Sequence, residues 1–152
     1  MPGVNRTLVI VKPDAVERGL VGEVLARLER RQLRLVAAEL RLIDLATARR
    51  HYAEHEGKPF FAGLVDYITA TPVVALVVEG HDAIEGCRAT NGATNPIKAT
   101  PGTVRGDFGQ TVGRNLVHAS DSPAAAEREV AIFFHDAELF TRAHALAAWL
   151  AE

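Results

Sequence analysis

Thr7 to Val11 is an apolar, largely β-branched run that Pro13 interrupts, and it predicts a buried strand ending at Lys12. Val21, Val24, Leu25 and Leu28 then recur at i, i+3, i+4 and i+7, the apolar face of a helix running to about Arg31. Leu33 to Leu42 reads as a second strand whose alternation changes phase at Ala37-Ala38, which suggests a bulge. Asp44 is placed to cap a helix through Tyr52 that ends by Gly57, and a further short helix, entered through Pro59, carries Phe60, Phe61, Leu64, Val65 and Ile68. Val73 to Glu79 is the third strand, and Asp82 can cap a helix that carries Cys87 and Arg88 before Gly92.

From Gly92 to Asn115 the apolar period disappears. Glycine and proline accumulate there, and a loop of that length inside a domain is usually functional or disordered. Leu116-Val117-His118 restores a short strand, and Ser120-Asp121-Ser122-Pro123 opens a helix that buries Ala126, Val130 and Phe133 or Phe134. Leu139, Ala143, Leu146 and Leu150 fall at helical spacing, so the tail from Asp136 to Glu152 is expected to be helical and to pack on the domain or on a neighbour. This order of elements suits an α/β (α+β) sandwich in which helices cover a four-stranded sheet, although periodicity does not fix the strand order.

The bulk composition narrows the setting. With 152 residues, 48% hydrophobic, the chain has room for one domain and no second. Seventeen Lys and Arg against nineteen Asp and Glu leave a net charge of −2, so no overall basic surface calls for nucleic acid and any anionic ligand must be held locally. Local cations suffice for that, because distant charges are screened over about 8 Å at physiological salt. Cys87 is the only cysteine, which excludes an intrachain disulfide and a Cys-rich zinc site and points to a reducing compartment. The apolar runs Leu8 to Val11 and Val73 to Val78 are strand-sized, too short for a signal segment or a membrane span. A cytoplasmic protein is expected.

No P-loop and no dinucleotide fingerprint occurs, so a bound phosphate would meet side chains instead. The candidate cations are Lys12 at a strand end, Arg88 on the helix before the loop, and Arg105 and Arg114 within the loop. Each has the ordinary alternative of a solvated charge. Arg nevertheless suits phosphate bidentately, and a Gly-rich loop lets backbone and guanidinium groups approach a ligand closely. Among six histidines, His51 and His55 lie one helical turn apart with no third metal ligand evident, which favours a solvated face. His81, His135 and His144 sit at element ends or in the tail. His118 differs, lying in an apolar strand just before Ser120, Asp121 and a helix start. It is either a core histidine satisfied by a carbonyl or a reactive one.

Asn115-Leu-Val-His118-Ala-Ser120-Asp121-Ser122 resembles the active-site signature of the nucleoside diphosphate kinases, N-x-x-H-[GA]-S-D. The likeness extends over Val11-Lys12-Pro13-Asp14-Ala15-Val16, Arg18 to Gly22, His51-Tyr52-Ala53-Glu54-His55 and Lys58-Pro59-Phe60-Phe61. It continues over Gly92 to Pro96, Pro101 to Phe108 and Ala126 to Glu129, in order, and so spans about Arg6 to Leu139.

The resemblance implies a ferredoxin-like β-α-β-β-α-β core with a four-stranded antiparallel sheet and a helical hairpin between the second and third strands. It implies one kinase domain over residues 1–152, with a helical tail from about 136. It also implies a ping-pong exchange, in which the γ-phosphate of ATP or another nucleoside triphosphate passes to His118 Nδ1 and then to a nucleoside diphosphate. An imidazole suits that role because it needs no separate base to free a lone pair near neutral pH.

By the same resemblance Lys12, Arg88 and Arg105 hold phosphates, Thr94 adds a hydroxyl, and Tyr52 lies beside the transferred group. Glu129, paired with Ser120, orients His118, while Asn115 and Lys12 bind sugar hydroxyls. Phe60 and Val112 sandwich the base, with Leu64 beside Phe60; stacking reads a face and so implies broad base and sugar acceptance. Mg²⁺ is expected as cofactor on the nucleotide phosphates, with Asp121 at most a water-mediated contact and no direct protein ligand. Homo-oligomers, hexameric or tetrameric, are usual in the family, with neither nucleic acid nor membrane required. Three departures stand out: Ala119 and Ala15 where glycine is more usual, and Thr90-Asn91 where apolar residues precede Gly92, which implies looser packing beneath the loop.

Overall fold

A computed structural model describes residues 3–143, 145 and 147–150. The run that predicts the first strand forms β1 (Val4–Val11), and Pro13, instead of merely ending it, occupies the first turn of a short helix α1 (Pro13–Glu17). Proline fits there because the first helical N–H has no partner to lose. The amphipathic helix α2 (Val21–Arg30) and strand β2 (Arg34–Arg41) follow as expected, with the register slip lying between Leu35 and Ala37. Val36 is thus the extra residue, one position before the expected phase change.

Asp44 caps α3 (Leu45–His51), its Oδ1 accepting from Thr47 N at 2.7 Å. A 3₁₀ turn (Ala53–His55) leads to α4 (Phe61–Ala70), and the two helices form the hairpin before β3 (Val73–His81). α5 (Ala83–Asn91) starts beyond Asp82, but that residue does not cap it. At φ +44° the backbone is left-handed, and the carboxylate lies 3.2 Å from His81 Nε2 instead.

The segment from 92 to 115 is more ordered than its composition predicts. It holds a 3₁₀ turn (Pro96–Lys98) and a helix α6 (Val104–Phe108), capped by Thr103 Oγ1 accepting from Gly106 N at 3.0 Å. Five residues are too few to show an apolar period. Gly106 is required, since an added Cβ would collide with the Thr100 carbonyl. β4 (Val117–Ala119) and α7 (Pro123–Phe133), capped by Ser122, complete the core.

The tail departs from its predicted helix. A 3₁₀ turn (Asp136–Glu138) gives way to a non-helical segment, whose Phe140 N donates to Val36 O at 3.0 Å and whose Arg142 Nη1 reaches Leu35 O at 3.2 Å. The bulge leaves the Val36 carbonyl open on an edge strand, and bonding to it is incompatible with a continuous helix. Helix returns only in α8 (Ala147–Leu150). Leu146 and Glu152 lie outside the described residues.

The sheet is antiparallel throughout, in the order β2-β3-β1-β4, which is the ferredoxin-like arrangement. Alternate residues feed two cores. Leu8, Ile10, Ala75 and Val77 pack under α3, α4 and α7 with Ala48, Val65, Ile68 and Phe133. Val9, Val11, Leu76 and Val78 pack against Val24, Leu28, Ala83 and Cys87 on the other face. In β4, Val117 and Ala119 join the second core, which turns His118, paired in register with Ile10, toward α3 and α7.

Candidate active site

The turn that delivers His118 is held by its backbone. Leu116 has φ +75° and is fully buried, and Val117 N donates to Asn115 O at 2.8 Å across it. A bulky γ-branched side chain rarely adopts this conformation, so its surroundings must impose it. Leu116 N donates to Asp14 Oδ2 at 3.2 Å, Leu116 O accepts from Lys12 N at 2.9 Å, and Tyr67 of α4 donates its hydroxyl to Asp14 Oδ1 at 2.5 Å. The end of β1, α1, α4 and the start of β4 are thereby tied together.

Around that turn the predicted cations converge. Lys12 Nζ donates to Asn115 Oδ1 at 2.8 Å, and Asn115 Nδ2 donates to the Thr94 carbonyl at 3.0 Å. Arg105 is only 7% exposed and grips three carbonyls, those of Asn115 (3.1 Å), Gly92 (2.8 Å) and Val117 (2.6 Å). Its first task is therefore to brace the strand on either side of Leu116, with two of its five N–H groups left over. Arg88 Nη1 approaches Ala119 O at 3.4 Å.

Among the described residues, none of Lys12, Arg88 and Arg105 has a carboxylate within ion-pair distance. Burial, then Arg105, pulls the Lys12 ammonium down to about 8, and burial, then Arg88, pulls Arg105 down to about 10. Mutually repelling, partly desolvated cations with no ion-pair partner, only Asp14 acting on Lys12 from farther away, form a site that an anion would relieve.

His118 is half-buried, and its Nε2 meets Glu129 Oε1 of α7 at 2.7 Å. The carbonyl-bonded core histidine that the sequence left open is not what is found. Glu129 is 4% exposed, and although burial raises it, hydrogen bonding to His118 and the imidazole's charge take its carboxyl down to about 2. Ser120, wholly buried, also favours the ionised carboxylate, yet its Oγ and Glu129 Oε2 complete no well-formed hydrogen bond, so it acts as a nearby dipole. No protein group bonds His118 Nδ1 among the described residues.

His51 was read from the sequence as part of a solvated face, and that expectation is corrected. It is 4% exposed, its ring stands edge-on to His118 with centroids 4.7 Å apart, and its Nδ1 is 3.7 Å from Glu129 Oε1. Burial, then the His118 charge, pulls it to about 3, so it is neutral at any ordinary pH. The missed signal was its place at the C-terminal end of a capped helix, on the same face as buried Ala48. Tyr52 packs edge-on against His51 at 4.7 Å, its phenol pushed up to about 12 by burial and then by Glu129.

Phe60, Leu64 and Val112 stand outside this bonded cluster. Phe60 is 52% exposed, with His55 edge-on to its ring at 5.4 Å and Lys58 Nζ 5.8 Å above it, while Val112 sits in an exposed turn. Leu64 is half-buried on α4 and Asp121 is exposed. Arg114 stacks over Tyr67 at 3.9 Å, linking its loop to the hairpin. Beneath the loop, Asn91 is fully buried with neither amide atom bonded.

Comparison with known proteins agrees with this arrangement. The family profile described as nucleoside diphosphate kinase matches residues 5–139. A nucleoside diphosphate kinase of Methanosarcina barkeri is 61% identical over 89% of this chain and 91% of its own length. That of Archaeoglobus fulgidus is 58% identical over 97% of this chain and 98% of its own. The solved structure of a halophilic nucleoside diphosphate kinase from Halobacterium salinarum in complex with CDP superposes with a TM-score of 0.94 at 49% identity, covering 97% of this chain and 99% of that one. With its sheet order, its histidine and carboxylate pair and this likeness over nearly its whole length, the chain belongs to the nucleoside diphosphate kinase family and is a phosphotransferase.

Proposed function

We propose that this chain passes the γ-phosphoryl group of a nucleoside triphosphate, typically ATP, to a nucleoside diphosphate by a ping-pong exchange on His118 Nδ1. The observation that carries this reading is the division of labour on one ring: Nε2 is engaged by Glu129 at 2.7 Å, and Nδ1 has no protein partner among the described residues. In the first half-reaction the Nδ1 lone pair forms the N–P bond, the P–O bond to the diphosphate breaks, and the electron pair leaves with the diphosphate. The proton on Nε2 stays in its bond to Glu129. The second half-reaction reverses these steps with the acceptor's terminal phosphate oxygen. Charge spreads over the equatorial oxygens in transit, so Lys12, Arg88 and Arg105 lower the barrier by their fixed position. One cation about 4 Å from such an oxygen is worth about 4 kcal/mol at an effective dielectric of 20, before desolvation.

Thr94, Tyr52 and Asn115 are assigned to the phosphates and sugar, and exposed Phe60 with Leu64 and Val112 to the base. A face-reading base site accounts for broad nucleotide acceptance. Mg²⁺ fits only through the nucleotide: the cluster with metal-ligand spacing found among the described residues is His51, His118 and Glu129, whose imidazoles suit a hard cation poorly. When bound, the ion shields phosphate charge, with Asp121 reaching it through water. No helix among the described residues is long and apolar enough to cross a membrane. Lone, buried Cys87 fits a cytoplasmic setting. Exposed Leu40, Leu42 and Ile97 support a homo-oligomer, hexamer or tetramer, which sedimentation decides.

The test is incubation with γ-labelled ATP. The wild type should take acid-labile, base-stable label, and His118→Ala should take none and lose turnover on the order of 10⁵-fold. Label persisting in His118→Ala would discard the nucleophile.

A further inference from the structure

Both nitrogens of His51 are buried and neither has a hydrogen-bond partner among the described residues. A stranded buried polar group is costly, and one kept beside a reacting residue asks for a functional account. Its ring is fixed from three sides, edge-on to His118 and Tyr52 at 4.7 Å and to Phe133 at 5.5 Å. That packing sets Nδ1 3.7 Å from Glu129 Oε1, the same oxygen that meets His118 Nε2 at 2.7 Å. His51, His118 and Glu129 also have metal-ligand spacing, but Lys12 and Arg128 bear on His51 with positive charge and oppose a dication.

We propose that His51 is a positioning residue, which carries its proton on Nδ1, aims that N–H at Glu129 Oε1, and so holds the carboxylate against His118 Nε2 during phosphoryl transfer. At 3.7 Å the contact is an oriented dipole, not a hydrogen bond, and it is effective because the surroundings are dry. The opposite tautomer would turn a lone pair toward an ionised oxygen. When Nδ1 of His118 takes the phosphoryl group, its imidazole becomes positive, and Glu129 must stay in line with Nε2 for that charge to be offset. A carboxylate with no second restraint has its other oxygen free of any hydrogen bond and can rotate away. The inference rests on His118 as the phosphorylated residue.

The experiment is single-turnover labelling by γ-labelled ATP of the wild type and of His51→Asn, His51→Gln and His51→Leu, with nucleotide Kd and unfolding midpoints measured on each. An Asn amide places N–H where Nδ1 stands, and a Gln amide where Nε2 stands. His51→Asn should keep most of the wild-type rate. His51→Gln and His51→Leu should slow both half-reactions by about 10–100-fold, as the loss of an orienting partner does, with Kd unchanged. Equal rates for Asn and Gln, or a loss appearing in Kd alone, overturn the proposal. Long-range ¹H–¹⁵N correlation through the His51 ring of the wild type decides without any variant: a proton on Nδ1 supports it, and a proton on Nε2 sinks it. A wild type that takes no label overturns the His118 reading itself, whereas with normal wild-type labelling the variants bear on His51 alone.

Discussion

The two ends of the central strands treat charge in opposite ways. At one end Glu79 of β3 is gripped by Arg6 at 3.0 Å and Arg34 at 2.9 Å, so both cations share a carboxylate of the chain itself. At the other, roughly 20 Å away along β1 by strand rise, Lys12, Arg88 and Arg105 gather with no ion-pair partner among the described residues. The ion pairs at the first end tie β1, β2 and β3 together. Unmatched charges at the second raise the free energy of the empty protein and reserve its attraction for a ligand.

Removing Lys12 should break the contrast most visibly. Lys12→Ala is expected to lower kcat by roughly 10²–10³-fold while leaving the thermal midpoint at or above that of the wild type, because a desolvated, repelled cation is lost. A comparable fall in midpoint would mean that Lys12 is structural after all. The pH dependence carries the same sign. Lys12 titrates near 8 in the fold against 10.5 unfolded, so its burden on stability is full below about 8 and is relieved as pH rises toward 10.5. Over that window turnover should decline while this group's effect on stability improves, and parallel activity and melting profiles check it.

Glu79→Gln should do the converse, destabilising by about 2 kcal/mol in denaturant titration, since two arginines lose their counter-charge, with turnover per folded molecule intact. Phe60→Ala sharpens the picture with the smallest effect. Its half-exposed ring holds no core together, so stability should not move, and Kd should weaken about tenfold for every base alike. A loss confined to one base would contradict face-on reading.

How much of this was legible in advance depended on range. Strands and long amphipathic helices were visible because burial repeats along them, as in Val21 to Leu28. α6 was not, because its formation rests on one cap and one glycine, and the helical period of the tail was overridden by an open carbonyl at Val36. In the site, the family resemblance pointed to His118, Glu129 and the cations, which spacing alone left open. It did not identify His51, whose burial comes from α7 and β4, distant in sequence. Nor did it reveal Arg105 as a clamp on three carbonyls, since backbone acceptors leave no trace in side-chain patterns.

The reversed backbone at Leu116 has a consequence for how this enzyme can fail. Its amide and carbonyl are held by Asp14 and Lys12, with Asn115 directly before it and His118 two residues after it. Damage to the backbone at that corner, unlike the loss of one side chain, displaces Asn115 and His118 together. A molecule in which the kink relaxes would move the His118 imidazole and the Asn115–Lys12 contact in the same displacement.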